Sequence, residues 1–306
     1  MNFRRSPHLS YVRSVRLANA LSAIMPVRSF QTGVSFAESM EFRYREIFTY
    51  VADNYQFVTD VTPDQAQEFA TLFFRNQTES YIAENRLCAM SKKPFAEYAS
   101  RSILKSLSKE GEDLLLNANG PIVLAAFHFS TFFHLCTGLA ELMKGKKKIH
   151  VLAYKTERGA LENLLVTKHV RFYGSRYWGL DQEGALRNCL REVKSQDSIL
   201  ICYCDLDSTY GMWSDCHFMG KPARMNTGAI RVARMLKAPL VTGFASGNVI
   251  RDGSFSINIT DAQTDLTQPK AVLKRLIKSL ENAVLTQPED WRHWPQIERY
   301  FQCRGA

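Results

Sequence analysis

Residues 121–133, "PIVLAAFHFSTFF", decide how the chain is read. Six consecutive apolar residues from Ile122 to Phe127 suit a strand buried on both faces, the kind found inside a parallel sheet. His128 ends that run, and the residues after it read as the start of a helix. A strand followed directly by a helix is half of a βαβ unit. Its carboxyl end is the place where open α/β sheets put their ligands. His128 is therefore either a catalytic base at a strand end or a core or helix-capping histidine.

Working outward, the same pattern recurs. "KIHVLAY", "VRFYG", "SILICYC", "APLVTGFAS" and "SFSINIT" are short apolar or β-branched runs. Helical segments at 130–143, 157–168, 182–195 and 227–236 separate most of them. The expectation is an α/β fold with a mainly parallel central sheet flanked by helices. Residues 35–116 read differently, as helices with little strand signal. "PDQAQEFATLFFRNQTESYIAENRL" starts with Pro63 and an acidic first turn, both helix-start signals. The chain thus divides into a basic segment at 1–34 and a single domain at 35–306. In that domain 35–116 is a helical cover and 121–306 the sheet-containing core. The helix at 269–286 and the tail "PEDWRHWPQIERYF" close it.

The N-terminal segment places Val12, Val15, Leu17, Leu21 and Ile24 on one helical face with arginines opposite, a pattern suited to an anionic membrane surface. Arg13 and Arg16 interrupt it too early for a signal peptide. No apolar stretch reaches the roughly 18–20 residues needed to span a bilayer. Hydrophobic residues make up 45% of the chain and charged residues 23%, which excludes an intrinsically disordered protein. The net charge of +9 favours anionic partners: membrane, phosphate, nucleic acid or an acidic carrier protein. Nucleic acid has no module signature to support it. Seven cysteines, several inside apolar runs, fit reduced thiols and a cytoplasmic setting, with peripheral contact on the inner face of the cytoplasmic membrane.

A second polar cluster follows another predicted strand. "SILICYC" runs into Asp205 and Asp207, then into "FMGKPA" and "NTG", where Thr227 and Gly228 open a helix whose N-terminus suits an anion or oxyanion. Asp in such a place is also an ordinary turn or cap residue. Cys202, Cys204, Cys216 and His217 are metal-ligand types, but their spacing fits no common zinc motif, and a metal is not expected. "KGKKK" at 144–148 reads as a solvated turn with the option of a carrier-protein or lipid-phosphate contact. No Gly-x-Ser-x-Gly elbow is present, which excludes the usual α/β-hydrolase nucleophile.

The order of these pieces resembles the lipid A late acyltransferase family, within the lysophospholipid acyltransferase-like superfamily. The resemblance rests on a strand ending in His128, an aspartate motif at Asp205 and Asp207, "FMGKPA", "NTG" before a helix, and the tail "QPEDWRHWPQIERYF". It implies a fatty acyl group moved from an acyl carrier protein thioester to a hydroxyl or amine. His128 would be the general base, no cofactor would be needed, and Phe218, Met219 and Gly220 would stand for the family's Phe-Phe-Gly. The family's basic residue falls on Arg176, with Arg171 as rival. One departure stands out. The family's acid, five residues after the histidine, is here Phe133, and Ser130, Thr131 and Phe132 replace Gly-Asn-Trp. Asp205, Asp207 or Glu141 would have to orient the imidazole instead. Without such a carboxylate the reading shifts to a non-catalytic acyl- or carrier-protein-binding homologue.

Overall fold

A computed structural model describes residues 45–103, 109–129, 132–154, 160–247 and 253–301. The amphipathic segment at 1–34 lies outside the described residues. Helix α1 (Arg45–Val58) leads into α2 (Pro63–Ala89), then α3 (Lys92–Ile103) and α4 (Lys109–Asn117). The start of α2 is fixed locally. Thr62 and Gln65 form a reciprocal capping box, and Pro63 occupies the first turn, where its missing N–H costs nothing.

The core then alternates: β1 (Ile122–Ala126), α5 (Phe132–Leu142), β2 (Lys148–Ala153), α6 (Ala160–Tyr173), β3 (Arg176–Gly179), α7 (Ala185–Lys194) and β4 (Ser198–Tyr203). A hairpin of β5 (Trp213–Phe218) and β6 (Lys221–Asn226) interrupts the alternation before α8 (Gly228–Leu236), β7 (Leu240–Ser246), β8 (Ser256–Gln263) and α9 (Pro269–Thr286). The main sheet has the order β3-β2-β4-β1-β7-β8. Its first five strands are parallel and β8 is antiparallel to β7. This is the expected mainly parallel sheet flanked by helices.

β1 lies at the centre, between β4 and β7, and all five of its residues are buried. Strand alternation divides its side chains between two layers. Val123 and Ala125 join the cluster shared with α1, α2, α7, α8, α9 and the C-terminal tail. Ile122, Leu124 and Ala126 join the opposite cluster with α5. Two buried faces explain why β1 and β4 read as continuous apolar runs. Among the described residues no helix is long and apolar enough to cross a membrane.

One expectation is corrected here. "VRFYG" at 170–174 is not a strand: it is the end of α6, and the strand is the next stretch, Arg176–Gly179. Leu165 and His169, one helical turn apart, are both fully buried, so packing along one helix face overrides the β-branched and aromatic composition. No strand was expected around "FMGKPA", where the structure has the β5–β6 hairpin. Its turn residues Met219 and Gly220 have φ of 51° and 72°, the left-handed pair that a two-residue type I′ turn requires.

Candidate active site

His128 and Asp205 meet at the carboxyl edge of the sheet. β1 and β4 are parallel neighbours, with Ala126 paired to Tyr203. Two residues further along each strand, the chains deliver His128 and Asp205 side by side. Asp205 Oδ1 lies 2.7 Å from His128 Nδ1, and Asp205 Oδ2 accepts the His128 backbone N–H at 2.7 Å. The orienting acid that Phe133 cannot supply comes from the neighbouring strand.

A carboxylate with no exposed surface needs several donors to remain charged. Besides both His128 groups, Asp205 Oδ2 accepts Trp291 Nε1–H at 3.1 Å, and His293 Nε2 stands 3.8 Å from it. Burial alone pushes the Asp205 carboxyl up. Attraction to His128 and its hydrogen bonds, with His293 behind, outweigh that and hold it below the ordinary carboxylate value. With Asp205 Oδ1 as its partner, Nδ1 carries the ring proton, which leaves Nε2 as the nitrogen that can accept one. The His128 side chain keeps 18% of its surface open. The Tyr203 ring lies tilted against it, with ring centroids 4.2 Å apart.

The C-terminal tail clamps this pair. Arg292 N–H donates to His128 O at 2.9 Å, and Tyr300 O–H donates to Asp205 O at 2.7 Å. His293 Nε2 lies 3.2 Å from His128 Nδ1. The helical cover holds the tail in turn. Asn54 Nδ2 donates to Trp294 O, and Arg292 pairs with the buried Glu84 of α2 at 2.8 Å. Burial pushes His293 down to about 4, against the pull of Asp205, so it stays neutral near pH 7.

Nδ1 of His128, a carboxylate oxygen of Asp205 and Nε2 of His293 lie within 4.8 Å of one another, close enough to share a divalent cation. In this structure the three groups are joined by contacts of their own, Asp205 Oδ1 with His128 Nδ1 at 2.7 Å and His128 Nδ1 with His293 Nε2 at 3.2 Å.

The other expected residues lie apart from the dyad or serve its frame. Asp207 is buried, but its Oδ1 accepts Thr209 N–H at 2.7 Å and the Thr209 hydroxyl, so it caps a turn. Phe218 packs behind the site, its ring 5.7 Å from Trp291 and 5.9 Å from Tyr300. Gly220 forms the hairpin turn. Thr227 N–H donates to Met212 O, and Gly228 N–H donates to Asn226 Oδ1 at 2.7 Å. The first of these donors braces the loop that ends at Met212, and the second closes on the strand β6. Arg176 lies away from the dyad. It starts the edge strand β3, in register with His150, Leu200 and Val123, and pairs at 2.8 Å with Glu192. It stands at the level of Val123, five residues short of the histidine and three strands away. Arg171 is exposed on the last turn of α6. Glu141 bonds Ser100 and Lys144 at the far end of α5. Cys202 and Cys204 are buried core thiols, and Cys216 donates to Ala223 O.

Trp291, His293 and Tyr300 are the site residues that the sequence reading missed. Their only trace in the sequence is the aromatic and polar tail "PEDWRHWPQIERYF". No protein-family model matches the chain, and no curated protein is significantly similar to it.

Proposed function

We propose that the chain is an acyltransferase of the lipid A late acyltransferase type, moving a fatty acyl group from an acyl carrier protein thioester to a hydroxyl or amine. One observation carries this reading: an Asp205–His128 dyad at the carboxyl edge of a parallel sheet, in the absence of the acid the family keeps after the histidine. His128 Nε2 takes the proton of the acceptor as its oxygen or nitrogen attacks the thioester carbonyl carbon. The tetrahedral adduct collapses, the C–S bond breaks, and the imidazolium returns the proton to the departing thiolate. Asp205 holds the ring in the required tautomer and stabilises the imidazolium. No step calls for a cofactor. The +9 net charge suits an acidic carrier protein.

The dyad favours an active enzyme over a non-catalytic homologue, because a buried carboxylate held on a partly open histidine is costly to maintain without chemistry. The test is single-turnover incubation with fatty acyl carrier protein and a panel of hydroxyl and amine acceptors, followed by intact mass. Wild type should deacylate the carrier in an acceptor-dependent way, and His128→Ala should do so at least about 10²-fold more slowly. Equal rates would remove the catalytic role.

A further inference from the structure

Three side chains able to bind a metal converge at the dyad from distant parts of the chain. His128 follows β1, Asp205 follows β4, and His293 belongs to the tail, 165 residues after His128. His128 Nδ1 lies 2.7 Å from Asp205 Oδ1 and 3.2 Å from His293 Nε2, and that Nε2 lies 3.8 Å from Asp205 Oδ2. A tetrahedral zinc ion, with bonds of about 2.0–2.2 Å to nitrogen and oxygen, spaces its ligand atoms about 3.3–3.6 Å apart. The observed separations straddle that spacing. A cation at their centre needs side-chain shifts of only about half an ångström to reach those bond lengths.

The chemical state of the groups suits a metal too. Burial pushes His293 down to about 4, so it is neutral near pH 7, the form in which imidazole binds metal. Asp205 is held ionised. Its Oδ2 accepts the His128 backbone N–H and Trp291 Nε1–H, which orient the carboxylate and leave Oδ1 for a cation. The Gln296 side-chain amide lies against His293 Nδ1, the ring nitrogen facing away from the cluster. Turned to present its oxygen, that amide takes the Nδ1 proton and gives up an exposed 3.3 Å bond from Arg299. Such outer hydrogen bonds fix the orientation of metal ligands. Two imidazole nitrogens and one carboxylate oxygen suit zinc or a similar transition ion, whereas calcium and magnesium favour oxygen alone. None of Cys202, Cys204, Cys216 and His217 takes part.

We propose that His128, Asp205 and His293 form a zinc-binding site that switches the dyad off. A neutral imidazole carries one proton. Zinc on His128 Nδ1 moves that proton to Nε2, the nitrogen that would take the acceptor's proton. The zinc-bound ring is then a donor where a base is needed. The binding stands on the three ligands alone; the switching rests on the acyl-transfer reading.

The experiment strips the full chain with a chelator, then titrates it with zinc at pH 7 in competition with a chromophoric chelator. A single equivalent should bind. Cobalt(II) in its place should show the visible bands of a nitrogen- and oxygen-ligated ion with no thiolate charge-transfer band. His128→Gln and His293→Gln should each weaken zinc binding at least about tenfold, with unchanged circular dichroism. His128→Gln changes a partly exposed ring, so it decides the matter if His293→Gln does not fold. His217→Ala, on the exposed side of the β5–β6 hairpin, should bind as wild type. No bound zinc, a thiolate band, or wild-type affinity in His128→Gln overturns the site and leaves a plain hydrogen-bonded cluster. Binding reads no chemistry, so the site can stand where acyl transfer is absent. Where transfer is observed, bound zinc should slow it at least about 10²-fold, as expected for loss of a general base, and added chelator should restore it. Full-rate transfer by the zinc-loaded protein overturns the switching.

Discussion

Asp205 grips His128 at two points, Oδ2 on its backbone N–H and Oδ1 on its ring Nδ1, both at 2.7 Å. The backbone contact fixes where the residue sits, and the ring contact fixes its tautomer. Asp205→Asn separates the two functions, because an amide keeps the shape and loses the charge. The expected result is a fall in kcat of about 10⁴, as when a triad's orienting carboxylate becomes an amide, with a stability loss of about 1–3 kcal/mol. Single-turnover rates and a urea titration measure the two. A variant with near-normal kcat would show that the carboxylate is structural.

Phe133 holds the place of the family acid, but its seat is apolar. It is buried in a small cluster with Leu87, Phe95 and Leu165. Phe133→Glu restores the family spacing on paper. In this fold it puts a carboxylate among hydrocarbon while His128 already has Asp205. The expected outcome is a destabilisation of several kcal/mol and no gain in transfer rate, read from urea midpoints and from activity per folded molecule. A faster enzyme would mean that the site is a decayed one waiting for its acid.

How much of this was legible follows from the range of each signal. β1 and β4 could be read because burial on both faces leaves long apolar runs, and the meeting of His128 with Asp205 follows from two strand ends on one sheet edge. The β5–β6 hairpin escaped because "WSDCHF" is largely exposed and carries no core pattern. "VRFYG" has strand composition on a helix, where tertiary packing decided. Arg176 was drawn from a family position, and strand order then set it three strands from the histidine. The tail contacts escaped for another reason. Trp291 meets Asp205 across 86 residues and His293 meets His128 across 165. No periodicity or capping signal acts over such separations; only the closed fold brings them together.

Buried histidines make the fold sensitive to mild acid. Burial pushes His134 and His169 down to about 3, and His293 down to about 4, from an ordinary 6.5. The unfolded chain protonates all three near 6.5, while the folded chain keeps them neutral until far lower pH. Unfolding between about pH 6.5 and 4 therefore takes up as many as three protons. Stability should fall as pH drops through that window, by up to about 1.4 kcal/mol per pH unit for each histidine. Asp205 adds a loss of the same sign below it, since its depressed carboxyl stabilises only when ionised. Urea midpoints at pH 7 and pH 5 with equal slopes measure this. A flat profile would show that these rings are not buried neutral.

The tail's contribution to catalysis can be separated from its contribution to the core at Trp291. Its indole is fully buried, 5.3 Å from the Trp294 ring and 5.7 Å from Phe218, and its Nε1–H reaches Asp205 Oδ2 at 3.1 Å. Trp291→Phe keeps a ring in the packing and removes the donor. Asp205 Oδ2 would then rely on the His128 backbone N–H and a more distant His293. A hydrogen bond to a charged group is worth about 1.5–3 kcal/mol, so a comparable stability loss is expected, together with a fall in kcat of about tenfold and little change in KM. Phe218→Leu is the companion variant. It loosens the same aromatic cluster and touches no hydrogen bond of the dyad. If the indole N–H tunes Asp205, Trp291→Phe lowers kcat well below Phe218→Leu at matched stability. If the two variants lose activity in step with stability alone, the tail is a structural clasp and the dyad works without its help.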